Sequence, residues 1–185
     1  QPVEKLVYDP EKIYLLFFSS DGDNNSWSMN LRLNIDGHPS RGRYPIAWSL
    51  APSMSWLCPD VVQYYYDRAP GGERYMASGG GIGVLPYTQA LARFAVRLDP
   101  EVRQAACDLL LSLSDAAFRR ADLTALNPFT IDRKDVTRMA AGMPSLRLIL
   151  PGYNKPQGSW PRAERFFKLG DTWVARFWSG HPGGG

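Results

Sequence analysis

The sequence predicts an α/β fold: an incomplete or distorted β/α barrel of about six or seven strands, with an open α/β sheet as the alternative. Three observations predict it. Short apolar runs alternate with helical patterns through most of the chain. Most of these runs stop abruptly at Ser, Gly, Pro or Asn, residues that end strands and begin turns. The 185 residues suffice for a single α/β domain. They fall short of the roughly 250 that a complete eightfold barrel needs.

Residues 1–12 read as a lead-in with a turn at Asp9-Pro10, and Ile13 to Phe18 as the first, buried strand. Asn24 or Asn25 caps a short helix over 25–33, and 37–43 is a loop of breakers. Ile46 to Leu50 is the second strand, ended by Ala51-Pro52. Pro59-Asp60 opens a helix to Ala69 with Val61, Val62, Tyr65 and Tyr66 on neighbouring turns. Arg74 to Ala77 is a third strand, and residues 87–98 are helical. Asp99-Pro100 starts a long helix to about Arg120. Its predicted apolar face is Val102, Ala105, Ala106, Leu109, Leu110, Leu113 and Ala117. Leu123 to Leu126 is a short strand, 132–141 a helix closed by Gly142, and Ser145 to Leu150 a strand. Phe166 to Leu169 and Thr172 to Trp178 flank a Gly170-Asp171 turn, so the sheet need not be wholly parallel.

Composition narrows the function classes. An apolar fraction of 44% with 21% charged residues is that of a globular protein. The net charge of +3 comes from scattered basic residues with no long run, which gives no nucleic-acid footprint. No apolar run is long enough for a transmembrane helix. His38 and His181 are too few and isolated for a His-rich metal site, and Cys58 and Cys107 allow at most one disulfide. The start at Gln1 and the Gly183-Gly184-Gly185 end suggest a processed chain or a piece of a longer protein.

The chemistry concentrates after the first strand, in Ser19-Ser20-Asp21-Gly22-Asp23-Asn24-Asn25. In α/β folds ligands sit at the carboxyl ends of strands. Clustered carboxylates repel and raise one another's pKa, so two acids one residue apart cost energy unless they are used. In an extended segment Asp21 and Asp23 point to one side, about 7 Å apart. That is within the range of the carboxylate pairs of glycoside hydrolysis. Asp21 and Asp23 are therefore the candidate catalytic pair, as acid, base or nucleophile. With Asn24 the same oxygens suit a hard cation, calcium or magnesium, although no cofactor is required. In the plainest alternative the side chains only cap a turn.

Trp27, Trp48 and Tyr153 are candidate stacking residues for a sugar ring, and Trp48 serves equally as core. Arg41 either orients an acid or a substrate oxygen or is a solvated loop charge. Four of positions 79–83 are glycine, and Gly80 and Gly81 allow close backbone approach to a ligand. The loop fits neither dinucleotide nor P-loop spacing. The Asp-x-Asp after a strand resembles the nucleophile motif of the haloacid dehalogenase family. That family's later residues find no match, since Asp60, Asp115, Asp122 and Asp132 stand alone.

Taken in order, SDGDN at 20–24, RGRYPIAWSLAPS at 41–53 and PDVVQYYYDRAPGGERYMASGGGIGVLPY at 59–87 resemble the C-terminal domain of the GxGYxYP putative glycoside hydrolase family. The segment from Leu146 to Trp178 is similar to that family's closing part. The matching positions are Asp21, Gly22, Asp23, Asn24, Arg41, Gly42, Trp48, Ser49, Pro52, Tyr65 and Tyr66. The resemblance implies a barrel-like α/β domain, a carbohydrate substrate and an N-terminal partner domain. It also implies a secreted, periplasmic or cell-surface location. The naming motif departs: Val84-Leu85-Pro86 stands where the family has its two tyrosines before proline, and Tyr87 follows. A domain that binds carbohydrate without cleaving it is the alternative this departure raises, and a metal-dependent hydrolase is the third reading.

Overall fold

The computed structural model describes residues 9, 11–12, 17–19, 29, 35–79, 99–128, 132–151 and 166–175. Their centre is a six-stranded mixed sheet. Its strands are β1 (Ile46–Ser49), β2 (Glu73–Ser78), β3 (Ala125–Asn127), β4 (Leu148–Ile149), β5 (Phe166–Leu169) and β6 (Thr172–Ala175). They lie in the order β1-β2-β3-β4-β6-β5. All neighbours are parallel except β5 and β6, which form the expected hairpin around Gly170 at φ +57°. Phe18 forms a parallel bridge with Ala47. Ala47 N–H donates to Phe17 O, and Ser19 N–H donates to Ala47 O, each at 2.9 Å. The described end of the first apolar run thus lies beside β1.

Among the described residues four helices accompany the strands: α1 (Met54–Leu57), α2 (Pro59–Asp67), α3 (Pro100–Arg120) and α4 (Arg133–Gly142). Their starts follow local chemistry. Pro59 and Pro100 occupy first-turn positions, where a missing N–H costs nothing. Asp99 accepts from Glu101 N–H and Asp132 from Lys134 N–H, both at 2.8 Å, as capping carboxylates do.

The pairing register sorts the side chains. Ala77 pairs with Leu126, Leu126 with Ile149, and Ile149 with Val174, so these four share one face. That face packs against Val62 and Tyr65 of α2, Leu111 and Phe118 of α3, and Val136 and Met139 of α4. All the helices contributing to this core therefore lie on one side. The strand order advances from β1 to β4 without reversing, and right-handed crossovers in one direction put successive helices on one side. Among the described residues the sheet is not closed, and an open α/β sheet is compatible with it.

Several expectations shift. The strand expected over 123–126 begins at Ala125, because Asp122 turns at φ +52° and Leu123 N–H is spent on Phe118 O at the end of α3. The strand expected over 145–150 shrinks to Leu148–Ile149. Ser145 N–H and Oγ both bond Asp115 Oδ1 instead, at 2.9 and 2.6 Å. Helix α1 was not expected. The helices expected over 25–33 and 87–98 lie outside the described residues, apart from the helical Met29.

The largest revision concerns α3. Its buried residues are Cys107, Leu111, Ser114, Asp115, Ala117 and Phe118. Val102, Leu109 and Leu113, expected on the buried face, are exposed.

Gly42 holds the loop before β1. Its φ is +78°, and a Cβ there would meet Pro70 Cβ at 2.8 Å. Gly42→Ala combines a left-handed backbone with overlap against a ring, and is expected to cost about 1–3 kcal/mol. A urea midpoint equal to wild type would refute the close packing of this loop on Pro70.

Candidate functional site

The parallel strands deliver their carboxyl ends to one edge. There Ser19, Ser49, Ser78 and Asn127 follow one another across the strands. Ser49 N–H donates to Ser19 Oγ at 3.3 Å, and Ser49 Oγ donates to Ser19 O. Gly79 N–H donates to Asn127 O at 2.9 Å, and Asn127 Nδ2 donates to Leu150 O at 2.6 Å. The edge is thus tied laterally through backbone carbonyls, which fixes where each outgoing loop departs. Asp21 begins two residues past Ser19, and Gly80 two residues past Ser78.

Ser49 pairs with Met76, two positions before Ser78, and Ser78 pairs with Asn127. The three polar residues therefore project from the same face, opposite the helix-packed core. All three are buried, and Ser78 Oγ has no hydrogen-bond partner among the described residues. A cavity of about 740 Å³ is lined by Ala47, Met76 and Ala125, each two positions before a residue of the polar edge, and by Leu148, which pairs with Ala125. Most of its lining lies toward the amino ends of the strands, from Pro45, Gly72 and Glu73 to Asp122 and Thr124, and Ser19, Ser49, Ser78 and Asn127 are not part of it. Ser78 and Asn127 were not singled out from sequence. The available signal is that each follows an apolar pair, Met76-Ala77 and Ala125-Leu126, as Ser19 follows Phe17-Phe18.

Of the predicted site residues, Asp21, Asp23, Asn24, Trp27, Gly80, Gly81 and Tyr153 lie outside the described residues. Arg41 and Trp48 are described and line one cavity of about 470 Å³ with Ile35, His38, Tyr44 and Glu73. Trp48 alternates with Ser49 along β1, so its half-buried ring points to the face opposite Ser49. Its Nε1 is buried without a hydrogen-bond partner among the described residues.

Arg41 sits near Glu73, the first residue of β2, at the amino end of the sheet. Its guanidinium donates from Nε to Glu73 Oε1 at 3.0 Å and from Nη2 to Glu73 Oε2 at 3.1 Å. Nη1 lies 2.7 Å from Asp36 Oδ1, and Nη2 also reaches Arg68 O at 2.8 Å. The hydrogen bond to Glu73 is the largest influence holding the Arg41 pKa above its ordinary value. With this set of contacts Arg41 ties the 36–43 loop to β2. The structure does not bring it to the serine edge.

The tyrosines of α2 have structural jobs. Tyr65 is buried in the core, and Tyr66 donates to Ala121 O at 2.6 Å. Burial, then Asp122 and Tyr75, pushes the Tyr66 hydroxyl pKa upward and keeps it a donor. Tyr64 is exposed and donates to Asp36 Oδ2 at 3.1 Å. Cys58 and Cys107 are free thiols, and burial raises the Cys107 pKa. Among the described residues, no group of three or more His, Cys, Asp or Glu is placed to hold a metal. Among them, too, no helix is long and apolar enough to cross a membrane.

The described residues form a mixed α/β domain with a six-stranded sheet whose carboxyl edge is polar. The chain belongs to the family described as "GxGYxYP putative glycoside hydrolase C-terminal domain", whose sequence profile matches residues 11–158. A crystal structure described as a putative hydrolase from Bacteroides thetaiotaomicron VPI-5482 has the same fold, with a TM-score of 0.67 at 19% sequence identity. The similarity covers 94% of this chain and 32% of the other, so the chain spans about a third of that protein's length. No curated protein is significantly similar to the chain.

Proposed function

We propose that the chain is the carbohydrate-processing domain of a glycoside hydrolase, with Asp21 and Asp23 as its two working carboxylates. The observation that carries the reading is the parallel pairing of Phe18 with Ala47, since it sets Ser19 in the row of strand ends where α/β proteins act. The Asp-Gly-Asp-Asn segment begins two residues later in the sequence, and the family name supports the substrate class. One carboxyl group protonates the departing glycosidic oxygen. The other either attacks the anomeric carbon or takes a proton from water. Asn24, Gly80 and Gly81 supply hydrogen-bonding groups and close backbone approach, and Trp27 and Tyr153 supply stacking faces. The wider architecture is that of an incomplete barrel, a reading supported by the unreversed strand order. An N-terminal partner domain completes the protein, and it works outside the cytoplasm.

The absence of the two motif tyrosines favours one second reading, a domain that holds a glycan without cleaving it. Turnover of a glycan panel separates the two. Asp21→Asn and Asp23→Asn are each expected to lower kcat by about 10²–10⁴-fold, the contribution of a positioned acid or base. Wild-type turnover in both variants would remove the pair from the mechanism. Glycan binding by isothermal titration with no turnover in the wild type selects the second reading. Melting raised by calcium or magnesium in the wild type, but not in the variants, assigns the same oxygens to a hard cation.

A further inference from the structure

We infer that the outer face of α3 is a self-association surface, on which a second copy of this chain packs its own α3 in antiparallel orientation. Leu109 is 62% exposed, Val102 52% and Leu113 44%. Ala105 is also exposed, and Ala116 half-buried. Residues 102, 105, 109, 113 and 116 recur at spacings of three and four, which on a helix make one continuous stripe. Along the 21-residue helix the stripe from 102 to 116 runs about 21 Å. Soluble proteins rarely leave an apolar strip of that extent bare without a partner for it.

The charges specify which partner. Asp99 caps the amino end of α3 and Glu101 stands in its first turn, while Arg119 and Arg120 occupy its last turn. Pairing about a two-fold axis through Leu109 brings Leu109 against Leu109, Ala105 against Leu113 and Val102 against Ala116. The same axis sets Arg119 of each copy beside Asp99 and Glu101 of the other. Parallel pairing would instead stack acid on acid and base on base. Antiparallel alignment also opposes the two helix dipoles favourably. Arg119 already pairs with Asp115, yet its side chain is 61% exposed and retains guanidinium donors for a second carboxylate. One helix pair buries little area, so the dimer is weak and forms in the micromolar range.

Sedimentation of the 185-residue chain tests this. The wild type is expected to pass from monomer to dimer as concentration rises through the micromolar range. Leu109→Glu, which places two like charges on the axis, is expected to raise the dimer Kd at least about tenfold. Its circular dichroism should be unchanged, because the site is exposed. Leu109→Cys is expected to form a disulfide-linked dimer on oxidation. Lys168→Cys on β5 is expected to form none above the wild-type background set by Cys58 and Cys107. A wild type that stays monomeric overturns the proposal, and is the result expected if a further domain covers the stripe. So does a Kd unmoved by Leu109→Glu, or a Leu109→Cys variant no better linked than Lys168→Cys.

Discussion

Arg41→Met is expected to destabilise the chain by about 3–5 kcal/mol, the usual cost of removing one partner from a buried ion pair. The Glu73 side chain is 0% exposed and that of Arg41 only 10% exposed. Removing the guanidinium takes away the two hydrogen bonds it makes to the buried Glu73 carboxylate and its ion pair with Asp36. For a chain of this size the loss corresponds to a fall in Tm of about 6–20 °C. Arg41→Lys keeps a charge but cannot reproduce the two-pronged geometry, so it should fall between wild type and Arg41→Met. Replacing both partners, as Arg41→Met with Glu73→Leu, should recover part of the stability, since the fully buried Glu73 carboxylate goes with its partner while Asp36 still loses its contact with Arg41. The series also decides what Arg41 is for. A loop anchor loses stability while turnover per folded molecule stays near wild type. A residue that orients substrate loses turnover in Arg41→Lys with the Tm nearly intact. A Tm loss of less than about 2 °C in Arg41→Met would mean that the pair is not buried in solution.

That series addresses a residue whose role local pattern could not reveal. The sequence shows Arg41 in a polar loop, and its partner Glu73 lies 32 positions away at the start of a strand. Nothing in the spacing connects them. Where the determining interactions are local, the sequence specifies the element. The starts of α2, α3 and α4 follow from Pro59, from Asp99 with Pro100, and from Asp132, each acting within its own first turn. The hairpin of β5 and β6 follows from apolar runs on either side of Gly170-Asp171. Helix α1 escaped because four residues after Pro52 and Ser53 are too few for a period to register. The first apolar run was read as a strand, and its described end pairs with β1. The acidic residues beyond it rest on sequence alone. Of the candidate site, the described part adds an edge of Ser49, Ser78 and Asn127. Single small polar residues at strand ends carry no distinctive spacing, and only the shared register makes them neighbours.

The orientation of α3 shows how buried polar groups mislead a hydrophobic pattern. Ser114 and Asp115 occupy the buried face, where a periodicity argument expects apolar residues. Both are satisfied there: Ser114 Oγ donates to Leu110 O, and Asp115 receives Ser145 and Arg119. Leucines at 109 and 113 then look like the core stripe while facing outward. Phe118→Ala and Leu113→Ala test this rotation on one helix. Phe118 is fully buried in the core cluster with residues of α2, α4 and the sheet. Its truncation removes a large ring and leaves a cavity, and is expected to cost about 3–5 kcal/mol. Leu113 is 44% exposed, so its truncation in the monomer should cost no more than about 0.5 kcal/mol. Chemical denaturation at submicromolar chain concentration makes the comparison, because association through the same stripe would add stability at higher concentrations. Equal losses in the two variants would rotate α3 back to the face its leucines suggest. A wide gap at low concentration that narrows as concentration rises would tie the orientation of the helix to the partner it presents itself to.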